Sequence, residues 1–213
     1  MIKTIKMLVK TALRIIGGTL TKTTKMPCRS FSTSPKDCFT GSKLRTVPGS
    51  ICESCFACKG FYAMYAKTIE PAQKKRWNSI DNPLWIDAMA LLINKEPGFF
   101  RWFDSGDFKS VDHLKKIVDV CKLTPTIKHW LPTKERGFYA DFIKAGGIIP
   151  KNLVIRFSAY MLDQAPPAYK NTSTVHTKGK KAFGVVCQAK KGACGDCRLC
   201  WNSKVKNVSY PKH

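Results

Sequence analysis

Four of the ten cysteines in this 213-residue chain fall between Cys187 and Cys200, at positions 187, 194, 197 and 200. Three more, Cys52, Cys55 and Cys58, lie in the stretch CESCFAC. Both groups contain overlapping C-x2-C steps, a spacing that suits ligation of a soft metal. Zinc takes sulfur in a tight tetrahedron at about 2.3 Å, usually from two separate C-x2-C knuckles. In the C-terminal group the two steps share Cys197, so they cannot act as independent knuckles. An overlapping run instead winds thiolates around the wider faces of a 4Fe–4S cubane. Iron–sulfur ligation is the favoured reading, with zinc as the alternative.

The first group has three thiols, and Cys38 in the same irregular segment is the candidate for a fourth. Cys28 and His213 are weaker candidates. Three protein ligands would leave one iron open to substrate or cofactor, whereas four would favour electron transfer or a structural role. Cys58, followed by Lys59-Gly60, is the thiol most open to being a bystander. Cys121 lies on the apolar face of a helix and reads as a core residue. Cys28, beside Pro27, has no evident partner.

A second constellation is polar. Asp104 and Asp107 bracket Ser105-Gly106 directly after the apolar run FFRWF. Such a carboxylate pair suits ribose hydroxyls, a divalent ion or proton transfer. The plainer reading is an Asx-type turn followed by a favourable charge at a helix start. Neighbouring segments add Thr133, Lys134, Arg156 and Ser158. The expectation is a catalytic set of Asp104, Ser105, Asp107, Lys134 and Arg156, with Gly106, Thr133 and Ser158 contacting a cofactor. His129 reads as a buried strand residue and His113 as a residue on the exposed side of a helix. Trp102, Trp130 and Trp201 read as core or as shields for a cluster.

These residues need a scaffold. Residues 61–80 read as helix, with a kink or restart at Pro71. Asn82-Pro83 reads as the cap and first position of another helix. FFRWF, TIKHWL and NLVIRFSAYM read as strands separated by helices, one of them capped by Ser110. That alternation predicts an α/β fold with parallel strands, as a partial or open (βα) barrel with cysteine-rich segments before and after it. Its functional loops would lie at the strands' C-terminal ends. Residues 163–180 read as a long loop, and AFGVVC as a fourth strand leading to Cys187.

The bulk properties bound the rest. An apolar fraction of 44% describes a globular chain, and 213 residues suffice for one domain. The net charge of +23 favours nucleic acid or another anionic partner, or reflects lysines used as solubilising surface residues. No apolar window reaches the ~20 residues of a membrane span. Closely spaced thiols that serve as ligands imply a reducing, cytoplasmic setting. Residues 1–30 have the composition of a transit peptide, and Ile2, Ile5, Leu8, Ala12 and Ile15 fit one helical face. The preferred division is a solvated basic arm over 1–30, folded on the body or loose, and one metal-binding domain over 31–213.

Six blocks, SICESCFACKGFY, FFRWFDSGDFKSVDHL, TPTIKHWLPTKE, NLVIRFSAYM, CGDCRLCW and VSYPKH, occur in the order of the bacteriophage gene-product-eighty-eight family, which the chain resembles. The resemblance implies a phage protein acting in the host bacterial cytoplasm, a metal centre built from the cysteine blocks, and a site around DSGDF. Phe56-Ala57 match the family pattern and Cys58 departs from it, which favours Cys38 as a ligand. More distantly, the layout resembles a shortened radical-SAM barrel, which would bring S-adenosylmethionine as a cofactor. Its loop spacing differs, however, and no Gly-Gly-Glu element is present. The expected function is therefore a phage protein with one or two 4Fe–4S clusters, as a redox or radical enzyme. The rivals are a zinc-stabilised nucleic-acid-binding module and a structural phage component.

Overall fold

The computed structural model describes residues 7–189 and 193–212. Helix α1 (Val9–Ile15) leads to strands β1 (Thr21–Lys22) and β2 (Arg29–Phe31). Then come α2 (Phe39–Leu44), α3 (Gly60–Met64), α4 (Ala66–Ser79) and α5 (Trp85–Ile93). Strand β3 (Phe99–Trp102), α6 (Val111–Leu123), β4 (Lys128–Thr133), α7 (Arg136–Lys144) and β5 (Leu153–Ser158) form the regular α/β run. The chain closes with β6 (Thr172–His176), β7 (Val185–Val186) and β8 (Asn207–Pro211).

Among the described residues, eight strands join one open sheet, ordered β1-β2-β3-β4-β5-β6-β8-β7. Only β1 pairs antiparallel, and β2 through β6 follow one another in chain order as parallel neighbours. The right-to-left alternation of each strand divides its side chains between two faces. Phe100, Trp102, Leu131, Leu153, Ile155 and Phe157 meet the helices in the main core. The opposite face carries Phe99, Trp130 and Tyr210, which form a second, smaller core with Cys28, Cys200 and Trp201. Ser110 caps α6 by accepting the His113 N–H at 3.1 Å, as the sequence predicts.

Several expectations change. Of the two alternatives for the basic arm, residues 9–31 take the folded one. Ala12 and Ile16 are fully buried against the main core, and β1 and β2 extend the sheet. Burying such a side chain stabilises by roughly 1.5–3 kcal/mol, enough to hold a basic segment down. The buried stripe of α1 differs from the expected one, because Leu8 is 73% exposed. Ile2 and Ile5 lie outside the described residues.

The helix over 61–80 breaks at Tyr65, between α3 and α4, and Pro71 lies inside α4 without ending it. Pro71 is the sixth residue of α4, past the first turn, so its ring forgoes the bond to the Lys67 carbonyl while the helix continues through it. Asn82 accepts the Leu84 N–H at 2.9 Å, but α5 begins only at Trp85. The long loop over 163–180 contains β6. Its sequence TSTVH shows no apolar alternation, because hydroxyl and amide contacts stand where apolar packing would: Thr172 donates to Asn207 at 2.8 Å and Thr174 to Ser209 at 3.2 Å. His113 is fully buried between Trp85 and Phe103, not exposed. Helix α6 packs against both α5 and α7, so its buried arc is wider than one stripe.

Candidate metal centre

The first cysteine group is built from turns. Cys38 follows a 3-10 turn (Pro35–Asp37) and is the N-cap residue of α2. The Cys55 N–H donates to the Cys52 carbonyl at 3.2 Å, and the Cys58 N–H to the Cys55 carbonyl at 3.0 Å. Each C-x2-C step thus closes an i→i+3 bond, the geometry that stacks side chains three apart on one side. Cys38 joins them through Gly41. A Cβ built there would stand 3.6 Å from the Cys38 sulfur and 3.7 Å from the Cys52 sulfur. Two thiols separated by the α2 turn therefore border one glycine that leaves them room.

The electrostatics link the same four residues. Burial pushes the Cys38 thiol far above its ordinary range; Asp107 and Glu135 add to the shift, then Cys55 and Cys52. Burial also raises Cys52, opposed by Lys134. Cys58 is raised by burial and by its neighbour Cys55. Burial thus disfavours the thiolate form at Cys38, Cys52 and Cys58, and a bound cation would offset that cost. Among the described residues, no group of three or more His, Cys, Asp or Glu side chains closes around a point fit for a single metal ion.

The C-terminal group gathers on the sheet face away from the main helices. Cys187 follows β7 and donates its N–H to Ser209 at 2.8 Å. The Cys194 N–H donates to the Lys25 carbonyl at 2.9 Å, and the Cys197 N–H to Cys194 at 3.0 Å. Cys200 sits in a 3-10 turn (Leu199–Trp201), with its sulfur 3.1 Å from the Tyr210 hydroxyl. Burial raises Cys194, and Cys187 is the next cause. Burial pushes Cys200 up to about 11, while Tyr210, Arg156 and Arg101 oppose it and Cys187 adds to it. Trp201 anchors the turn by donating its indole N–H to the Phe100 carbonyl at 2.8 Å.

The polar constellation serves these segments. Tyr62 of α3 donates to Asp104 Oδ2 at 2.8 Å, and Ser30 donates to Oδ1. Gln73 of α4 donates to Ser105 Oγ at 3.2 Å, and that hydroxyl donates to the Thr33 carbonyl at 3.0 Å. Asp107 accepts from the Phe108 and Lys134 N–H groups, both at 2.9 Å, and from Thr133 Oγ1 at 2.8 Å. Glu135, which the sequence reading passed over, is 1% exposed and accepts both the N–H and the hydroxyl of Thr40, at 2.9 and 2.6 Å. The strand ends thus clamp α2, α3 and α4, the elements around the first thiols.

Several site expectations are corrected by these contacts. Arg156 does not reach the Asp104–Asp107 turn. It is fully buried on the opposite face from Thr133, with all its N–H donors on carbonyls. Those of Leu199, Cys200, Asn202 and Val205 lie at 2.8–2.9 Å and that of Thr172 at 3.3 Å. Gly106 has φ +81° and packs so closely on Thr33 that a Cβ would fall 2.0 Å from its hydroxyl, so its job is packing. The Thr133 hydroxyl is engaged by Asp107 and by the Glu135 N–H. Ser158 pairs with Ser173 at 3.1 Å. Lys134 is the member of the set whose ammonium acts on a thiol, that of Cys52.

Cys121 is fully buried in the main core, while Cys28 shares the second core with Cys200. The sequence offered no signal for that second pairing. His129 is buried with Nε2 2.8 Å from the Thr124 hydroxyl, and His213 lies outside the described residues. No helix among the described residues is long and apolar enough to cross a membrane. No curated protein and no solved structure matches the chain. The family model described as Gene product 88 matches residues 5–203, and the chain belongs to that phage family.

Proposed function

We propose that this chain is a two-centre iron–sulfur protein that carries electrons, with Cys38, Cys52, Cys55 and Cys58 holding one 4Fe–4S cluster and Cys187, Cys194, Cys197 and Cys200 the other. The observation that supports this reading is that the Cys38 and Cys52 sulfurs both lie within 3.7 Å of one point, the Cβ position at Gly41, which makes Cys38 the candidate fourth ligand. Four protein ligands leave no iron open to substrate, so electron transfer is favoured over radical chemistry on S-adenosylmethionine. Each cubane, when bound, takes up and returns one electron.

The chain's own residues support that role. Thiols separated by i→i+3 turns suit a cubane, which spreads its ligands wider than a single zinc ion does. Trp130 and Trp201 pack edge to face with centroids 5.2 Å apart, and Cys200 packs against that pair. Arg101 and Arg156 supply positive charge near Cys200. The consecutive parallel order of β2 to β6 is what a partial barrel would share with this sheet. The host cytoplasm suits both thiol ligation and phage origin.

Anaerobic purification tests the reading. The protein should be brown and contain about eight iron and eight sulfide per chain, the content of two cubanes. Colourless protein with stoichiometric zinc would overturn it. A change in the reduced cluster's paramagnetic resonance spectrum on adding S-adenosylmethionine would overturn the assignment of four ligands to the first centre.

A further inference from the structure

We propose that the surface over the first thiol group is a docking face for an acidic electron-carrier protein. This rests on the iron–sulfur reading and extends it by naming the class of partner. The segment that wraps these thiols exposes large apolar side chains: Phe39 is 55% exposed, Phe56 58% and Met64 71%. Each is adjacent in sequence to the thiols or to the helix that leaves them. Their elements form a packed series: α2, which holds Phe39, against the Pro35–Asp37 turn, that turn against the one at Phe56–Cys58, and the latter against α3. Exposed apolar side chains gathered in one place mark a protein contact more than a solvated surface.

Charge identifies the partner. Lys67 and Lys74 line a hollow of about 490 Å³ beside this segment, between the Cys38 turn and α4, together with Asp37 and the Lys36–Glu70 ion pair, so lysines outnumber carboxylates there by three to two. Lys43 lies 3.8 Å over the Phe39 ring. Among the described residues, Lys43, Lys67 and Lys74 are in no salt bridge. Exposed apolar side chains beside these three lysines, on a chain of net charge +23, complement an acidic protein. Contacts between redox proteins are small and weak, and they rely on such steering for their rate. Nucleic acid would use the same lysines but has less use for an aliphatic side chain such as Met64.

An oxidised acidic flavodoxin serves as the probe. The reduced cluster gives one electron to the flavin, whose N5 takes a proton from water, and the neutral semiquinone forms. With dithionite-reduced, desalted protein, the rate of semiquinone formation is expected to fall at least tenfold in the Lys67→Glu/Lys74→Glu double variant. It should fall severalfold in Met64→Ser. Lys128→Glu/Lys151→Glu, at the edge of the sheet where β4 and β5 begin, should stay within twofold of wild type. A neutral quinone acceptor should be reduced equally by all four proteins.

Equal slowing by the two double variants would overturn the proposal, because charge alone would then act without a site. So would flavodoxin reduction unaffected in Lys67→Glu/Lys74→Glu while affinity for a single-stranded oligonucleotide is lost, since that assigns the face to nucleic acid. Calorimetric binding of the oxidised flavodoxin to the same four proteins needs no electron transfer. If the chain holds no reducible cluster, the iron–sulfur reading fails on metal content, and this binding series still decides the docking face. Binding weakened only by the changes at positions 64, 67 and 74 supports the face, and binding by none of the proteins overturns it.

Discussion

Glu135 holds Thr40 with both carboxylate oxygens, although the two residues are 95 positions apart. Thr40 is two residues from Cys38, and Glu135 opens the loop into α7. One buried carboxylate therefore fixes the α2 turn that brings the Cys38 sulfur beside that of Cys52. Glu135→Ala leaves both Thr40 donors without their partner, at a cost of ~1–3 kcal/mol. The expected result is iron content falling toward half and a lower unfolding temperature, with substantial rescue in Glu135→Gln. Full iron in Glu135→Ala would separate this contact from the metal centre.

Cys38→Ser should remove the first cluster and leave the second, so iron and sulfide fall to about half. Cys121→Ser should leave both unchanged, because that side chain is fully buried in the main core. Metal and sulfide analysis of the two variants checks this. Full iron in Cys38→Ser would return the fourth ligand to another residue.

The Tyr210 hydroxyl lies 3.1 Å from the Cys200 sulfur, and burial and Cys200 hold its phenol well above its ordinary range, so to a ligating thiolate it would be the donor. A hydrogen bond to a ligating sulfur favours the more negative, reduced cluster. Tyr210→Phe keeps the ring and removes that bond. One of the two midpoint potentials should move to lower values in a potentiometric titration, and the other should not move.

Arg156 ties five carbonyls of the C-terminal segment and β6 to the sheet. Arg156→Met leaves those acceptors unpaired, and breaking such a buried network costs about 3–5 kcal/mol. Urea unfolding should register that loss, and iron should be lost from the C-terminal centre first. Arg156→Lys should behave similarly, since an ammonium cannot span the same carbonyls.

Acid should destabilise the protein through its core histidines. Burial depresses both His113 and His129 from 6.5 to about 3. Their contribution is present above the unfolded value of 6.5 and is lost as pH falls, each by about 1.4 kcal/mol per pH unit. Asp107 acts in reverse: burial, then Glu135, raise it from 3.8 to about 7, so it favours folding at low pH and loses that contribution as pH rises toward 7. Two histidines outweigh one aspartate, and stability should fall by about 1.4 kcal/mol per unit between pH 6 and 4. His113→Asn should make that interval nearly flat in urea titrations at successive pH values.

The helices and strands of the middle were legible in the chain because local patterns carry them. FFRWF, TIKHWL and NLVIRFS are apolar runs bounded by turn residues, and the Ser110 cap and the α6 stripe are readable within one helix. The turns at Cys52–Cys55, Cys55–Cys58 and Cys194–Cys197 are equally local, each closed by an i→i+3 bond within its own C-x2-C step. Tertiary contact decided the rest. Strand β6 is polar and exists through its partner β8, and α1 is weakly amphipathic and folds because α5 offers it a surface. Arg156 resembled a site residue until its donors met the carbonyls of a segment more than forty positions away. The placing of Cys38 beside Cys52, of Glu135 on Thr40 and of Tyr210 on Cys200 depends on how the chain crosses itself. Residue order alone carries no distance between such points, because distant contacts form only when the whole core closes.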